Sequence, residues 1–222
     1  MSKEEDIKDE EGSAEKKIAP QLSERALMAS GIRIGTNVIT KHMKQYLERT
    51  REDGLNIIDV NKIQSHIEIV GKFLARFDPK RVMVYSSREA AQVPIEKFSE
   101  LTGVNFTLGR FLPGTLTNPQ LPNYRDVDVV MVIDPAIDVQ AIKEAIKTNI
   151  PVIAICDTNN VTSYVDLVIP ANNRGRKALA TLFWLLSRSY LIHQGTLSPQ
   201  DPMKYTPEEF ETKLIEEDNA EG

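Results

Sequence analysis

The sequence predicts a doubly wound α/β sandwich, a parallel β-sheet with helices on both faces. Two observations carry that expectation. From Pro79 onward, strand-like apolar runs alternate with helix-like segments over short links, the rhythm of βαβ units. The runs near residues 82, 130 and 153 (RVMVY, VDVVMVI and PVIAIC) are apolar almost without a break. Strands read that way when helices cover both faces of their sheet. A chain of 222 residues can bury such a core without a metal or a disulfide to staple it.

Residues 1–19 are charged and nearly free of large apolar groups, so they are expected to form a disordered acidic tail. Ser23 can cap a short helix, SERALMAS, that stops at Gly31. The stretch GIRIGTNVITKHMKQYLERTREDG carries basic groups at Arg33, Lys41, Lys44, Arg49 and Arg51, with Lys41 and Lys44 on one face if it is helical. NIIDV, 56–60, reads as a short strand. Residues 61–77 set Ile63, Ile67, Val70, Phe73, Leu74 and Phe77 at helical spacing.

A strand is then expected at 81–85, a helix at 89–101 and a strand at 104–108, followed by a long loop. A strand at 127–133 leads to a helix from Asp138 to Lys147. Strands at 151–156 and 165–169 precede a long last helix from Arg174 to Ile192. This body spans 20–195. Residues 196–222 read as a second acidic tail, in which Thr206-Pro207-Glu208-Glu209 has the capping chemistry of a helix start for a short helix over 207–217. Phe210 and Leu214 would form its apolar stripe, a candidate contact for a protein partner or for the chain's own core.

The formal net charge of −5 is unevenly spread. Residues 19–195 hold 21 basic and 17 acidic side chains, so the body is mildly basic and the acid sits in the tails. That asymmetry fits a polyanionic partner. The N-terminus is acidic and lacks an apolar stretch, which argues against a secretory signal. ALATLFWLLS, 178–187, is too short to span a bilayer. One cysteine, Cys156, leaves no intramolecular disulfide and fits a reducing cytosol. A cytoplasmic protein with no membrane partner is expected.

An open parallel sheet offers ligands the crevice at the carboxyl ends of its strands. Asp134 and Asp157 fall at two such ends and could bind a metal or a sugar; as turn residues they could equally bond nearby amides. GIRIG has the wrong spacing for a dinucleotide fingerprint, and no phosphate loop or nucleophile elbow is present. His42, His66 and His193 lack ligand spacing. Cys156 ends an apolar strand and reads as a core thiol. An orphan α/β enzyme or nucleotide-binding protein using Asp134 and Asp157 is the weaker reading.

GRFLPGTLTNP, 109–119, resembles the "GRF-x-PGT-x-TN" signature of the universal small-subunit ribosomal protein S-two family, in its archaeal and eukaryotic form, the laminin-receptor-precursor-like type. MASGIRIGT at 28–36, REDGLNIIDVNK at 51–62, KFLARF, NIPVIAICDTNN at 149–160 and VDLVIPANNRGRKALATLFWLLSR at 165–188 resemble further family segments, in register and in order. One departure is Arg33, where the family commonly has histidine. There is no room for the long helical hairpin of bacterial members.

The resemblance implies a flavodoxin-like or Rossmann-like sheet and a non-catalytic component of the small ribosomal subunit. It implies ribosomal RNA and neighbouring ribosomal proteins as partners, with no cofactor and no small-molecule substrate. Related proteins sit on the solvent side of the subunit, bridging head and body. An adhesion or receptor role rests only on the historical name of eukaryotic relatives.

Folded RNA is read by shape, phosphates and 2′-hydroxyls, which calls for cations on stiff supports. In the loop, Arg110 can pair with a phosphate or with a carboxylate of the fold, while Thr115, Thr117 and Asn118 can bond sugar hydroxyls. Arg33, Lys41, Lys44, Arg49 and Arg51 form a second candidate patch, or a solvated face. Asn172, Asn173, Arg174, Arg176 and Lys177 form a third at a helix start, where outward amides favour anions. Arg88 is a candidate with an internal ion pair as its alternative.

Overall fold

The computed structural model describes residues 24–213. The expected N-terminal tail, the Ser23 cap and Leu214 lie outside those residues.

The chain opens with α1 (Glu24–Ala29), closed by Ser30 and by Gly31, whose φ of +71° suits a residue without Cβ. A 3-10 turn at Met43–Tyr46 leads into β1 (Leu47–Thr50), which pairs antiparallel with β2 (Asn56–Ile58). Lys44 lies in the 3-10 turn and Lys41 just before it, so no α-helix presents the two on one face. Asp53-Gly54 in the connecting turn, with Gly54 at φ +83°, is a hairpin signal in the sequence.

Helix α2 (Val60–Leu74) is capped by Asp59, whose side chain accepts from the Asn61 amide, and buries Ile63, Ile67, Val70 and Leu74. Then follow β3 (Val82–Ser86), α3 (Gln92–Thr102), β4 (Asn105–Leu108), the long loop, β5 (Val129–Val132) and α4 (Val139–Lys147). The series ends with β6 (Val152–Cys156), β7 (Leu167–Pro170) and α5 (Arg176–His193).

The five strands β3 to β7 form one parallel sheet in the order β4-β3-β5-β6-β7. Counted within the sheet this is 2-1-3-4-5, the flavodoxin-like order, with its switch point between β3 and β5. Crossovers between parallel strands are right-handed. The β3-α3-β4 and β5-α4-β6 crossovers run in opposite directions along the sheet, so α3 and α4 cover opposite faces. Helix α5 packs on α2 and α3, completing one helical layer. The opposite face is shared by α4 and the loop after β4. Strands β3, β5 and β6 are buried along their whole length, the physical basis of their unbroken apolar runs.

Helix α5 is buried at every position from Ala178 to Ser189 and at Tyr190, because the chain beyond it folds back and covers its outer side. Trp184 Nε1 donates to the Tyr205 carbonyl at 2.8 Å, and the buried Arg188 guanidinium donates to the carbonyl of Asp201 at 2.9 Å and to that of Pro199. The helix start at Thr206 is present with its capping box, but it makes only a 3-10 turn, Pro207–Phe210. Phe210 is fully buried in the chain's own core. Its assignment to a protein partner is therefore corrected: the ring fills the fold itself.

The long loop is held as firmly as a strand. Phe111 and Leu116 are buried, and Phe111 meets the Tyr85 ring edge-on at 4.9 Å, while the Tyr85 hydroxyl donates to the Gly109 carbonyl at 2.9 Å. From α4, the buried carboxylate of Glu144 accepts from the amides of Gly114 (2.8 Å) and Leu116 (3.1 Å) and from the Thr117 hydroxyl (3.4 Å). Burial alone would raise the pKa of Glu144, but the two amides, with Gln140 and Thr117, outweigh it and hold the group below its ordinary value.

Two outcomes follow. Phe210→Ala should cost about 3–5 kcal/mol of folding stability in urea denaturation, the range for emptying a buried aromatic site. Glu144→Gln should cost about 1–3 kcal/mol at neutral pH, since a buried pair of amides loses its charged acceptor. Because the folded pKa of Glu144 is depressed, its contribution is complete above the unfolded value near 4.5 and is lost as pH falls through the lower folded value. The gap between wild type and variant should accordingly close in acid.

Candidate nucleic-acid interface

The carboxyl ends of the strands are knitted together by their own side chains. At the switch point, Arg88 after β3 pairs with Asp134 after β5 through Nε at 3.1 Å and through Nη2. The other Asp134 oxygen accepts from Asn160 Nδ2 at 2.9 Å and from the Ala136 amide at 2.9 Å. Asp138 reaches back, accepting from the amide (3.1 Å) and hydroxyl (2.7 Å) of Ser87 with one oxygen and from the Asp134 amide (3.1 Å) with the other. Asn173 after β7 donates to the carbonyls of Ile133 and Ile155, both at 3.1 Å, and to Asn160 Oδ1 at 3.0 Å.

Asp134, Asp138, Asp157, Asn160 and Asn173 are each at most 1% exposed, so the crevice that serves other sheets of this order as a ligand site is here filled. Burial pushes the carboxyls of Asp138 and Asp157 up, and for Asp157 the nearby Arg174 offsets only part of that. The Cys156 thiol is pushed up in the same way and is a core group. Asp134 and Asp157, the candidates for an enzymatic reading, are thus structural. Among the described residues no group of histidine, cysteine and carboxylate side chains has the arrangement of a metal site.

This knot also anchors the segments that carry the cations. The Thr158 hydroxyl accepts from the Thr36 amide at 2.9 Å, and the Thr158 and Asn160 carbonyls accept from the Thr40 amide and hydroxyl at 3.0 and 2.9 Å. Gly35 is required by the same contact, because a Cβ there would collide with the Thr158 side chain. On the far side, the Asn172 amide donates to the Ile32 carbonyl at 2.8 Å. The patch around 33–51 and the start of α5 are therefore brought to one end of the molecule. Arg110, just beyond β4, lies along the same edge. With about 4.8 Å between strands, β4 and β7 stand about 19 Å apart along it.

The candidate residues divide by their environment. Lys41, Lys44, Arg49, Arg110 and Lys177 are exposed and Arg176 is half-buried, and none of the six has an ion-pair partner among the described residues. Thr117 and Asn118 are exposed on the loop. Arg51 pairs with Asp53 at 3.2 Å, and the largely buried Arg33 approaches Glu48 at 3.6 Å. Arg174 is half-exposed, with Nε 4.0 Å from Asp157.

Four expected contacts are corrected. Thr115 is buried, its hydroxyl donating to the Leu112 carbonyl at 2.6 Å and accepting from Asn123 at 3.0 Å. Asn173 is enclosed in the knot. Arg88 takes the internal pair. Asn172 positions the helix start, its Oδ1 accepting from the amides of Arg174 (2.9 Å) and Gly175 (3.1 Å). Glu144 is not among the residues singled out from the sequence, although an acid on the apolar stripe of Ala141, Ile142 and Ala145 is a legible anomaly.

The family model described as "Ribosomal protein S2" matches residues 27–127 and 121–192. The "Small ribosomal subunit protein uS2" of Thermoplasma acidophilum is 48% identical over 193 residues, 87% of this chain and 97% of that protein. The protein of the same name from Thermoplasma volcanium is 50% identical over the same shares, and that of Nitrosopumilus maritimus 46% identical over 87% of this chain and 94% of its own. Together the two matched segments cover the strand-tip knot and the clamped loop, and the chain belongs to the ribosomal protein S2 family.

Proposed function

We propose that the protein is a structural constituent of the small ribosomal subunit, binding ribosomal RNA and neighbouring subunit proteins without performing chemistry. The observation that carries this reading is the likeness, over most of the chain, to proteins named for the small ribosomal subunit. Its place in the cell is then the cytoplasm, with the ribosome. No helix among the described residues is long and apolar enough to cross a membrane.

The mechanism is electrostatic and geometric. Lys41, Lys44, Arg49, Arg110, Arg176 and Lys177 supply positive charge that no carboxylate among the described residues neutralises. A duplex or folded RNA brings phosphates to such groups and releases counterions as they bind. Arg110 and Arg176 offer planar forks that can take two phosphate oxygens at once. At the start of α5, Asn172 already satisfies the amides of Arg174 and Gly175, which leaves the next turn's amides and the two cations to face an anion. Thr117, whose hydroxyl donates to Glu144, and Asn118 are exposed on the same loop as Arg110 and can accept from sugar hydroxyls. Ordering these groups costs little on binding, because the knot and the Glu144 clamp have already fixed their supports.

The reading predicts the salt dependence. Affinity for small-subunit RNA should fall with salt by a log–log slope of about −0.7 to −0.9 per phosphate contact. Replacing Arg176 and Lys177 together with alanine should reduce the slope by about 1.5 with the fold intact by circular dichroism. An unchanged slope removes the helix start from the interface. A wild-type protein that neither binds this RNA nor cosediments with small subunits contradicts the function.

A further inference from the structure

At the opposite end of the sheet, where β6 and β7 begin, the surface holds a groove of about 330 Å3. Its walls are Ile146 and Ile150 at the end of α4, Pro151 leading into β6, and Tyr164 and Asp166 on the loop before β7. Ile146 is 38% exposed and Tyr164 71% exposed, so the groove presents an aliphatic wall and an aromatic ring to solvent.

The backbone at Tyr164 is unusual. The Val165 amide donates to the Thr162 carbonyl at 3.2 Å, which makes Thr162–Val165 a turn with Tyr164 as its third residue. Its φ is +65°, a conformation that suits glycine or asparagine and costs an aromatic residue. Asn149, the other positive-φ residue with a side chain, is accounted for locally. It closes α4, its amide donating to Ile146 and the next amide to Ala145, the Schellman pattern in which asparagine is at home. Tyr164 has no such account, and its ring gains no burial in return. Strain of this kind is kept where a side chain has work at a surface.

The chemistry of the walls selects a ligand. Asp166 is the one charged residue that lines the groove; one of its oxygens accepts from the Val152 amide at 2.8 Å, and the other has no partner among the described residues. An aliphatic wall, an aromatic ring and a carboxylate together fit a side chain with an apolar stem and a cationic tip. RNA is disfavoured here, because its phosphates would meet Asp166 with no cation in the lining. Lys147 follows Ile146 on the helix but does not line the groove.

We infer that this groove is a protein-docking notch that takes an arginine or lysine side chain presented by a neighbouring protein. The inference goes beyond the ribosomal reading and needs only the groove, so a failure of RNA binding would leave it standing.

The test is an NMR titration of the full-length protein, following the Ile146 and Ile150 methyls and the Tyr164 ring. The probes are N-acetyl-arginine methylamide and N-acetyl-lysine methylamide, with the norleucine and glutamate amides as controls. The cationic probes should move these signals at millimolar concentration, and the controls about tenfold more weakly. Asp166→Asn keeps an acceptor for the Val152 amide and should weaken binding about tenfold. Tyr164→Gly should weaken it comparably while raising the unfolding temperature, because glycine relieves the turn; a purely structural tyrosine would not separate the two readouts. Controls that act as strongly, an Asp166→Asn variant that binds like wild type, or groove signals that stay still all overturn the inference. So does a single-stranded RNA dodecamer that moves them instead.

Discussion

Parallel sheets expose the carboxyl ends of their strands, and the carbonyls and turns gathered there must find partners or a ligand. In this protein most of them find one another, while Asn159 Oδ1 and Asn173 Oδ1 have no hydrogen-bond partner among the described residues. The Arg88–Asp134 pair spans the switch point, Asp138 ties the turn after β5 to Ser87, and Asn160 and Asn173 close the remaining gap to β6 and β7. Polar groups buried this deeply are stabilising only as a complete set, since removing one member leaves the others desolvated and unpaired. The segments that carry exposed cations hang on this set: the residues around Thr40 through Thr158 and Asn160, the start of α5 through Asn172 and Asn173. A filled crevice thus becomes a stiff platform.

The two ends of the sheet carry different chemistry. Along the carboxyl edge, six basic side chains have no ion-pair partner among the described residues. At the amino edge, Arg81 is held between Asp126 and Asp128, both hydrogen bonds raising its pKa, and Asp166 faces the groove beside Tyr164. The whole-chain charge of −5 reflects the acidic tails of the sequence and hides the positive charge along the carboxyl edge.

The main α/β body was legible in the sequence because its signals are local. Unbroken apolar runs mark strands covered on both faces, and helical spacing marks α2 and α4. What escaped was what depends on residues far apart in the chain. Strand β2 is legible in NIIDV, but its partner β1 falls in a stretch that could be helical, since LERT is short and charged and only Asp53-Gly54 announces the turn. For Phe210 the sequence leaves a protein partner and the chain's own core both open, because the second covering of a long apolar helix such as α5 cannot be read from spacing. Thr115, Asn172 and Asn173 are polar residues in a glycine- and arginine-rich setting, and composition alone cannot tell a solvent-facing amide from one that stitches strand ends together. The resemblance named the family and its partners, whereas the division between structural and exposed site residues required the fold.

The central claim is that a rigid, chemically inert scaffold turns a defined set of cations toward RNA. Lysine acetylation footprinting, read by mass spectrometry on the free protein and on purified small subunits, tests it most directly. The account predicts that Lys41, Lys44 and Lys177 react in the free protein and are protected in the particle. Equal reactivity of these three lysines in both states, or particles that lack the chain, would contradict it.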